Sequence, residues 1–175
     1  MYRKFTPLVL SLVIAGCAQQ PVAEVRVPDN LQPQSNESLS MIVRATGVQA
    51  YECRARKDQA GAYEWAFVAP EADLFDVSGK RLGRHYAGPR WESTDGSIVV
   101  GTLKERADAP SANAIPWLLL TTKSAGPGGS FSKVTSIQRV NTVGGVAPKE
   151  GCSQAAVGKA ARINYTADYY FFTAK

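Results

Sequence analysis

Histidine and cysteine are scarce in this chain, which has one histidine, His85, and three cysteines among 175 residues. A structural zinc site normally takes four cysteine, histidine or carboxylate ligands. Cys53 and Cys152 have only His85 to add to such a set. The count also excludes a histidine-rich metal site. The composition therefore predicts neither a metal centre nor a bound cofactor.

Runs of like charge are absent as well. The chain has 20 Lys and Arg against 15 Asp and Glu, a formal charge of +5, but its basic residues are scattered. Proteins that bind DNA or RNA usually cluster Lys and Arg into a patch, so we expect no nucleic-acid partner. The length and a hydrophobic content of 45% suit a single folded domain.

No hydrophobic run is long enough to cross a bilayer. The apolar stretch from Leu8 to Ile14 follows Arg3 and Lys4 and is about half the necessary length, which indicates a targeting segment. The sequence at 14–17, IAGC, resembles the lipobox of bacterial lipoproteins. That resemblance implies a signal peptide over 1–16 and acylation, including palmitate, at Cys17. The alternative is an ordinary secretory signal followed by a chance cysteine.

Several acyl chains on Cys17 would give stable membrane anchoring. Ala18 follows the cysteine, and the sorting rule of such lipoproteins then implies the outer membrane, facing the periplasm. Residues 17–38 are polar, contain three prolines and have no helix or strand period, so we predict a tether and lead-in there. A flexible segment of some 20 residues spans about 25 Å. A single domain is predicted over 39–175.

The two other cysteines, Cys53 and Cys152, are expected to form a disulfide. Export to the periplasm permits such a bond. It would close a loop of about 100 residues, for which the chain-entropy estimate is about 4–5 kcal/mol. A zinc site or a catalytic thiol would each depend on His85 as the further ligand or base, and Cys53 lies within an apparent strand.

From Met41 onward the chain alternates short runs of Val, Ile, Tyr, Phe and Trp with turn residues, which is typical of an all-β domain. Segments 47–55 and 62–69 predict one hairpin, and Ser78-Gly79 marks a second turn. Asp95-Gly96 predicts a third hairpin with positive φ at both turn positions. Pro116 suits the start of a strand, and 163–172 alternates as a last strand.

Three segments fit a short helix as well as a strand or loop. Segment 131–142 has apolar residues three apart, a spacing that a strand or a helix can use. Short helices are conceivable at 108–114 and 153–162. We therefore predict a single-domain antiparallel β-sandwich or small β-barrel with at most short helices. These alternatives share one local pattern.

A resemblance to a known family covers about residues 27–175. The stretches GVQAYEC, PEADLFD, GRHYAGPRWESTDGS, AIPWLLL, IQRVNTVGGVAP with the following Cys152, and YTADYYFF resemble the domain of unknown function 3455. That family occurs in secreted or exported bacterial and fungal proteins and has no established activity. The resemblance implies a shared fold and an exported setting, and it supplies no catalytic residues.

No catalytic constellation is predicted. Neither Ser97 nor Ser130 lies in the G-x-S-x-G elbow of α/β-hydrolases. Ser97, His85 and Asp95 or Asp76 would form a triad only if the fold brought them together, because the members of a triad need not be close in sequence. Glu92 and Asp95 are the nearest candidates for a glycosidase pair, but Asp95 is needed for its turn.

The segment 83–97, GRHYAGPRWESTDGS, holds the best candidates for a ligand site, namely His85, Arg90 and Trp91. Histidine titrates near neutral pH, arginine binds carboxylate or phosphate in two places, and tryptophan offers a stacking face. The alternative is structural, with His85 hydrogen-bonded inside the domain, Trp91 in the core and Arg90 exposed.

Other aromatic residues are open to both interpretations. Trp117 is expected in the core, and Tyr165, Tyr169 and Tyr170 would either line a cavity or pack. The sequence leaves three hypotheses about function. The first is a non-enzymatic, lipid-anchored envelope module that binds a small ligand or an envelope protein. The alternatives are an envelope hydrolase that uses His85 and a purely structural envelope component.

Overall fold

The fold is a closed barrel of eight antiparallel strands in a computed structural model that describes residues 25–175. Each strand pairs with its neighbours along the chain, and β1 pairs with β8 to close the barrel. The strands are β1 Glu37–Ala55, β2 Tyr63–Phe75, β3 Arg81–Tyr86, β4 Arg90–Ser93, β5 Ile98–Ala107, β6 Trp117–Ser124, β7 Val134–Gly144 and β8 Ala160–Ala174. The all-β prediction is confirmed, and of its two forms the barrel is the one observed.

Both predicted glycine turns join neighbouring strands, but the conformation expected for Asp95-Gly96 is wrong. Gly96 has φ +85°, whereas the one non-glycine residue with positive φ in the described chain is Asn141. The Gly96 N–H donates to the Ser93 carbonyl, and the Ser93 N–H donates to the Ser97 carbonyl, each at 2.9 Å. The loop therefore has three residues, of which only the glycine adopts the left-handed conformation.

The uncertain segment 131–142 forms most of strand β7, so its apolar spacing does not reflect a helix. No helix forms at 108–114, and 153–162 contains only the 3₁₀ turn Gln154–Ala156 before β8 begins. Short isolated helices are marginal without an apolar face to pack, and Pro110 disfavours a helix interior in the first segment. Pro116 directly precedes β6, as predicted.

Apolar side chains fill one end of the barrel interior. The largest of them are fully buried, and Phe131 packs its ring edge-on against Phe171 with centroids 5.0 Å apart. Burial of one such side chain contributes about 1.5–3 kcal/mol. Five strands each contribute an interior residue to this core. In chain order these are Val43, Leu74, Val99, Ile137 and Phe171.

A second, smaller core lies on the outer face of β6 and β7. Leu31 is fully buried there against Trp117, Leu119 and Val140. The Gln138 side-chain amide donates to the Leu31 carbonyl at 2.6 Å. Thus the described part of the lead-in, from residue 25, packs on the barrel, and every contact of the fold described here lies within 25–175.

The predicted disulfide between Cys53 and Cys152 is confirmed. It joins the end of β1 to the loop before β8. Two backbone hydrogen bonds of 2.9 Å hold the same region, from Cys53 N–H to the Lys159 carbonyl and from Gly158 N–H to the Cys53 carbonyl. The predicted signal peptide, Cys17 and the first part of the predicted tether lie outside the described residues.

Candidate functional site

The barrel wall is incomplete at one end because the β3–β4 hairpin is short. Strand β2 pairs with β3 only from Ala72 onward, and β5 pairs with β4 only as far as Val100. Beyond these points, no strand among the described residues pairs with the first half of β2 or the second half of β5 on the sides that face this hairpin. The result is an opening between β2 and β5, above the hairpin tip at 87–89.

A cavity of about 260 Å³ lies behind this opening, and we call it the barrel cavity. Its rim carries Phe67, Val68 and Leu103, each about half exposed. Its wall also includes Pro70, Ala87, Gly88, Pro89, Leu118 and Leu120, and its polar or aromatic members are His85, Trp91, Arg139 and Tyr169. Most of the surface is therefore apolar, with a few polar groups at defined positions.

His85 and Trp91 form one wall of the barrel cavity. They are register partners on β3 and β4, and their rings stack with centroids 4.3 Å apart and an interplanar angle of 17°. Tyr169, from β8, meets both rings edge-on at 5.2 and 5.4 Å. Gly101 makes room for the indole, since a Cβ atom there would lie 2.8 Å from the Trp91 ring.

His85 is neutral in the folded protein. Its Nδ1 lies 2.9 Å from the Arg90 carbonyl oxygen, which can only accept a hydrogen bond, so Nδ1 carries the proton. Burial lowers the pKa of His85 to about 3, against a smaller raising effect of that hydrogen bond. The unprotonated Nε2 is consequently a hydrogen-bond acceptor near neutral pH.

Arg90 occupies a different position from the other two residues predicted at this site. Its guanidinium is directed to the hairpin tip, where Nη1 donates to the Ala87 carbonyl at 3.0 Å. The side chain is exposed and is not part of the cavity wall. The structure thus brings His85 and Trp91 together in the cavity, while Arg90 contributes its backbone oxygen to His85.

Arg139 is a cavity residue that sequence reasoning missed. The register places it on β7 between Leu118 of β6 and Tyr169 of β8, in one inward-facing row. Its Nε and Nη2 donate to the Pro116 carbonyl at 3.1 and 2.8 Å. The available signal was a lone charge two residues after Ile137, but it required the strand assignment of β7.

Within residues 25–175, four polar atoms in this half of the barrel are buried and make no hydrogen bond of normal geometry. They are Gln49 Nε2, Trp91 Nε1, Tyr165 Oη and Tyr169 Oη. Burial raises the pKa of both tyrosines, which keeps their hydroxyls protonated as donors. Buried polar groups are normally paired, so an unpaired group in a native fold calls for an explanation.

The chain matches the model of a known protein family. The model of the family described as "Protein of unknown function (DUF3455)" matches residues 33–173. The chain belongs to this family. No curated protein and no solved structure matches it. The match spans all eight strands of the barrel and the whole barrel cavity.

The serine and acidic residues considered for catalysis in this DUF3455 member hold loops together. The Asp95 carboxylate accepts hydrogen bonds from the backbone and side chain of Ser97 and of Ser130, at 2.6–2.9 Å. These bonds, first that of the Ser97 hydroxyl, lower the pKa of Asp95. Ser97 Oγ in turn accepts the Phe131 N–H at 3.0 Å.

None of these groups contacts His85. Within residues 25–175, no hydrogen bond joins the His85 ring to a serine or a carboxylate. Glu92 is paired with Arg84 and Tyr86, and Asp76 accepts hydrogen bonds in its own turn. A histidine with a pKa near 3 is also a weak general base at neutral pH.

Across the described chain, no helix is long and apolar enough to span a membrane. The same residues contain no group of three His, Cys, Asp or Glu side chains that could hold a metal ion.

Proposed function

We propose that this DUF3455 protein is a binding module of the cell envelope whose barrel cavity takes up one small, mostly apolar molecule. The observation that carries the proposal is a cavity of about 260 Å³ with apolar walls and few polar groups. Concave sites of this composition are typical of small-molecule binding. An eight-stranded barrel is just wide enough to hold one small ligand where side chains do not fill it.

The size of the cavity limits the size of the ligand. At about 30 Å³ per water in the liquid, the volume corresponds to roughly nine waters. A molecule of about ten non-hydrogen atoms therefore fits, and a longer one would extend through the opening. The exposed rim residues Phe67, Val68 and Leu103 would contact that extension.

The proposal includes the location of the protein. The lipobox-like sequence at 14–17 supports acylation of Cys17 and an outer-membrane lipoprotein that faces the periplasm. The disulfide between Cys53 and Cys152 supports an oxidising compartment. In this setting the barrel would bind its ligand beside a lipid surface.

The test uses residues 18–175, which contain the whole described fold, and three eight-carbon probes: octanoate, octan-1-ol and octylamine. Titration calorimetry should detect binding of at least one probe to the unmodified barrel. Leu103→Trp should weaken that binding at least about tenfold, because an indole at the rim narrows the opening. A probe that no longer enters loses a binding free energy on the order of 1–3 kcal/mol from burial of its apolar surface.

Val77→Trp is the matched control, since Val77 is also an exposed apolar residue but lies in the β2–β3 turn outside the cavity. This variant should bind as the unmodified protein does. The proposed function is contradicted if no probe binds, or if both tryptophan variants reduce binding equally.

A further inference from the structure

The polar groups of the barrel cavity form an asymmetric set. Arg139 is the one cavity residue with a permanent charge, and no acidic residue contributes to the wall. Near neutral pH His85 is uncharged, so it does not add a second cation. The cavity wall therefore carries a single positive charge.

The Arg139 guanidinium has donors to spare. It carries five N–H groups. One on Nε and one on Nη2 donate to the Pro116 carbonyl, which leaves three. The ion pairs found within residues 25–175 do not include Arg139. A partly buried cation without an anion is costly to maintain, and an anionic ligand would remove that cost.

A second, independent observation points to the same place. The Tyr169 hydroxyl is buried, with only 1% of the residue exposed, and its polar neighbours are the side chains of Arg139 and Tyr165. Within residues 25–175 it makes no hydrogen bond of normal geometry. Tyr169 is the direct register partner of Arg139 and belongs to the same cavity wall. A neighbouring guanidinium and a protonated phenol together offer donors to an oxygen acceptor that the protein does not supply.

We propose that the ligand of the barrel cavity is an amphiphilic monocarboxylate whose carboxylate is bound by Arg139 and Tyr169. This inference rests on the proposed function of the same cavity. The apolar part of the molecule lies against Trp91, Leu118 and Leu120 and leaves through the opening beside Leu103. Arg139 forms charge-assisted hydrogen bonds to the carboxylate oxygens, which are the stronger class.

The decisive comparison needs no variant. Hydrogen bonds to charged groups are stronger than those between neutral groups, so the unmodified barrel should bind octanoate at least about tenfold more tightly than octan-1-ol. Octylamine should bind most weakly, because its ammonium faces the guanidinium. The inference is overturned if the alcohol equals the acid or if the amine is the tightest of the three.

Variants of the head-group site extend the test. Arg139→Gln should reduce octanoate affinity to that of octan-1-ol, while Arg106→Gln should not change it. Arg106 is the matched control because it carries the same charge on β5 with an exposed side chain outside the cavity wall. Equal loss in both variants would mean that net charge alone attracts the anion, and the inference would fail.

Arg139→Gln also removes the bonds to Pro116, so its fold must be checked by thermal unfolding. Tyr169→Phe serves if that variant unfolds, since the hydroxyl makes no hydrogen bond of normal geometry within residues 25–175. This change should weaken octanoate and leave octan-1-ol unaffected. Unchanged octanoate affinity would overturn the assignment of Tyr169. If none of the three probes binds, the proposed function itself fails.

Discussion

His85 is the residue whose chemistry differs most from expectation. A lone histidine invites a functional interpretation because its usual pKa lies near neutral pH. Here the ring is stacked on Trp91, bonded to the Arg90 carbonyl and only 2% exposed. The features expected of a structural histidine are present, and yet the same ring forms a wall of the barrel cavity. The two interpretations therefore coexist at one residue.

The lowered pKa of His85 makes stability depend on pH. The unfolded histidine takes up a proton near pH 6.5, whereas the folded one resists it down to about pH 3. The contribution of neutral His85 to the free energy of unfolding is therefore fully present above pH 6.5. It decreases as the pH falls from 6.5 toward 3, by up to about 1.4 kcal/mol per pH unit. Tyr169, which meets the ring edge-on, stays protonated in this range because burial raises its pKa. The charge of Arg139 adds to the lowering of the pKa of His85.

Denaturant unfolding at pH 7.5, 6.5, 5.5 and 4.5 measures this slope. Because His85 is the only histidine, His85→Gln should flatten the curve over that range, where most carboxylates are still ionised. A slope that is the same in both proteins would show that the histidine is not kept neutral by the fold.

Among the elements, the strands were far easier to predict than the closure of the sheet. Alternation and turn residues identify the β1–β2 hairpin, the Gly79 and Gly96 turns and strand β8. Strand β7 was ambiguous because Val134, Ile137 and Val140 are three apart, a spacing that fits one face of a helix. In the strand, Ile137 belongs to the interior core and Val140 to the outer core. The second core that covers Val140 has no local signal, since it depends on residues around Leu31.

The site was predicted in part for the same reason. His85 and Trp91 are close in sequence and meet across one short hairpin. Arg139 and Tyr169 come from distant strands, and only the closed register brings them beside the first pair. The opening between β2 and β5 depends on the length of the β3–β4 hairpin relative to its neighbours, which is a property of the assembled sheet.

The disulfide acts at the scale of elements, because it ties β1 to the loop before β8 across a separation of 99 residues. We expect the double variant Cys53→Ser, Cys152→Ser to lose about 4–5 kcal/mol of unfolding free energy by the chain-entropy estimate. Urea unfolding of residues 18–175 checks this value. A loss below about 1 kcal/mol would mean that the backbone bonds around Cys53 suffice to hold this region.

At the scale of the whole molecule, we propose that a lipid anchor holds the open-ended barrel at a membrane. If Cys17 is acylated, Cys17→Ser should move the full chain from the membrane fraction to the soluble fraction of the envelope. Ala18→Asp tests the sorting step separately, and it should retain the lipoprotein in the inner membrane. Membrane association that survives Cys17→Ser would contradict the proposed anchor.

Ligand binding in the barrel cavity is tested most directly by locating a bound probe. Isotope-filtered NOE spectra of ¹³C-labelled residues 18–175 with unlabelled octanoate would locate it. The account predicts contacts from the methylene chain to the methyl groups of Leu103, Leu118 and Leu120. Contacts confined to exposed residues such as Val77 or Val143, or no intermolecular contacts at saturating octanoate, would contradict it.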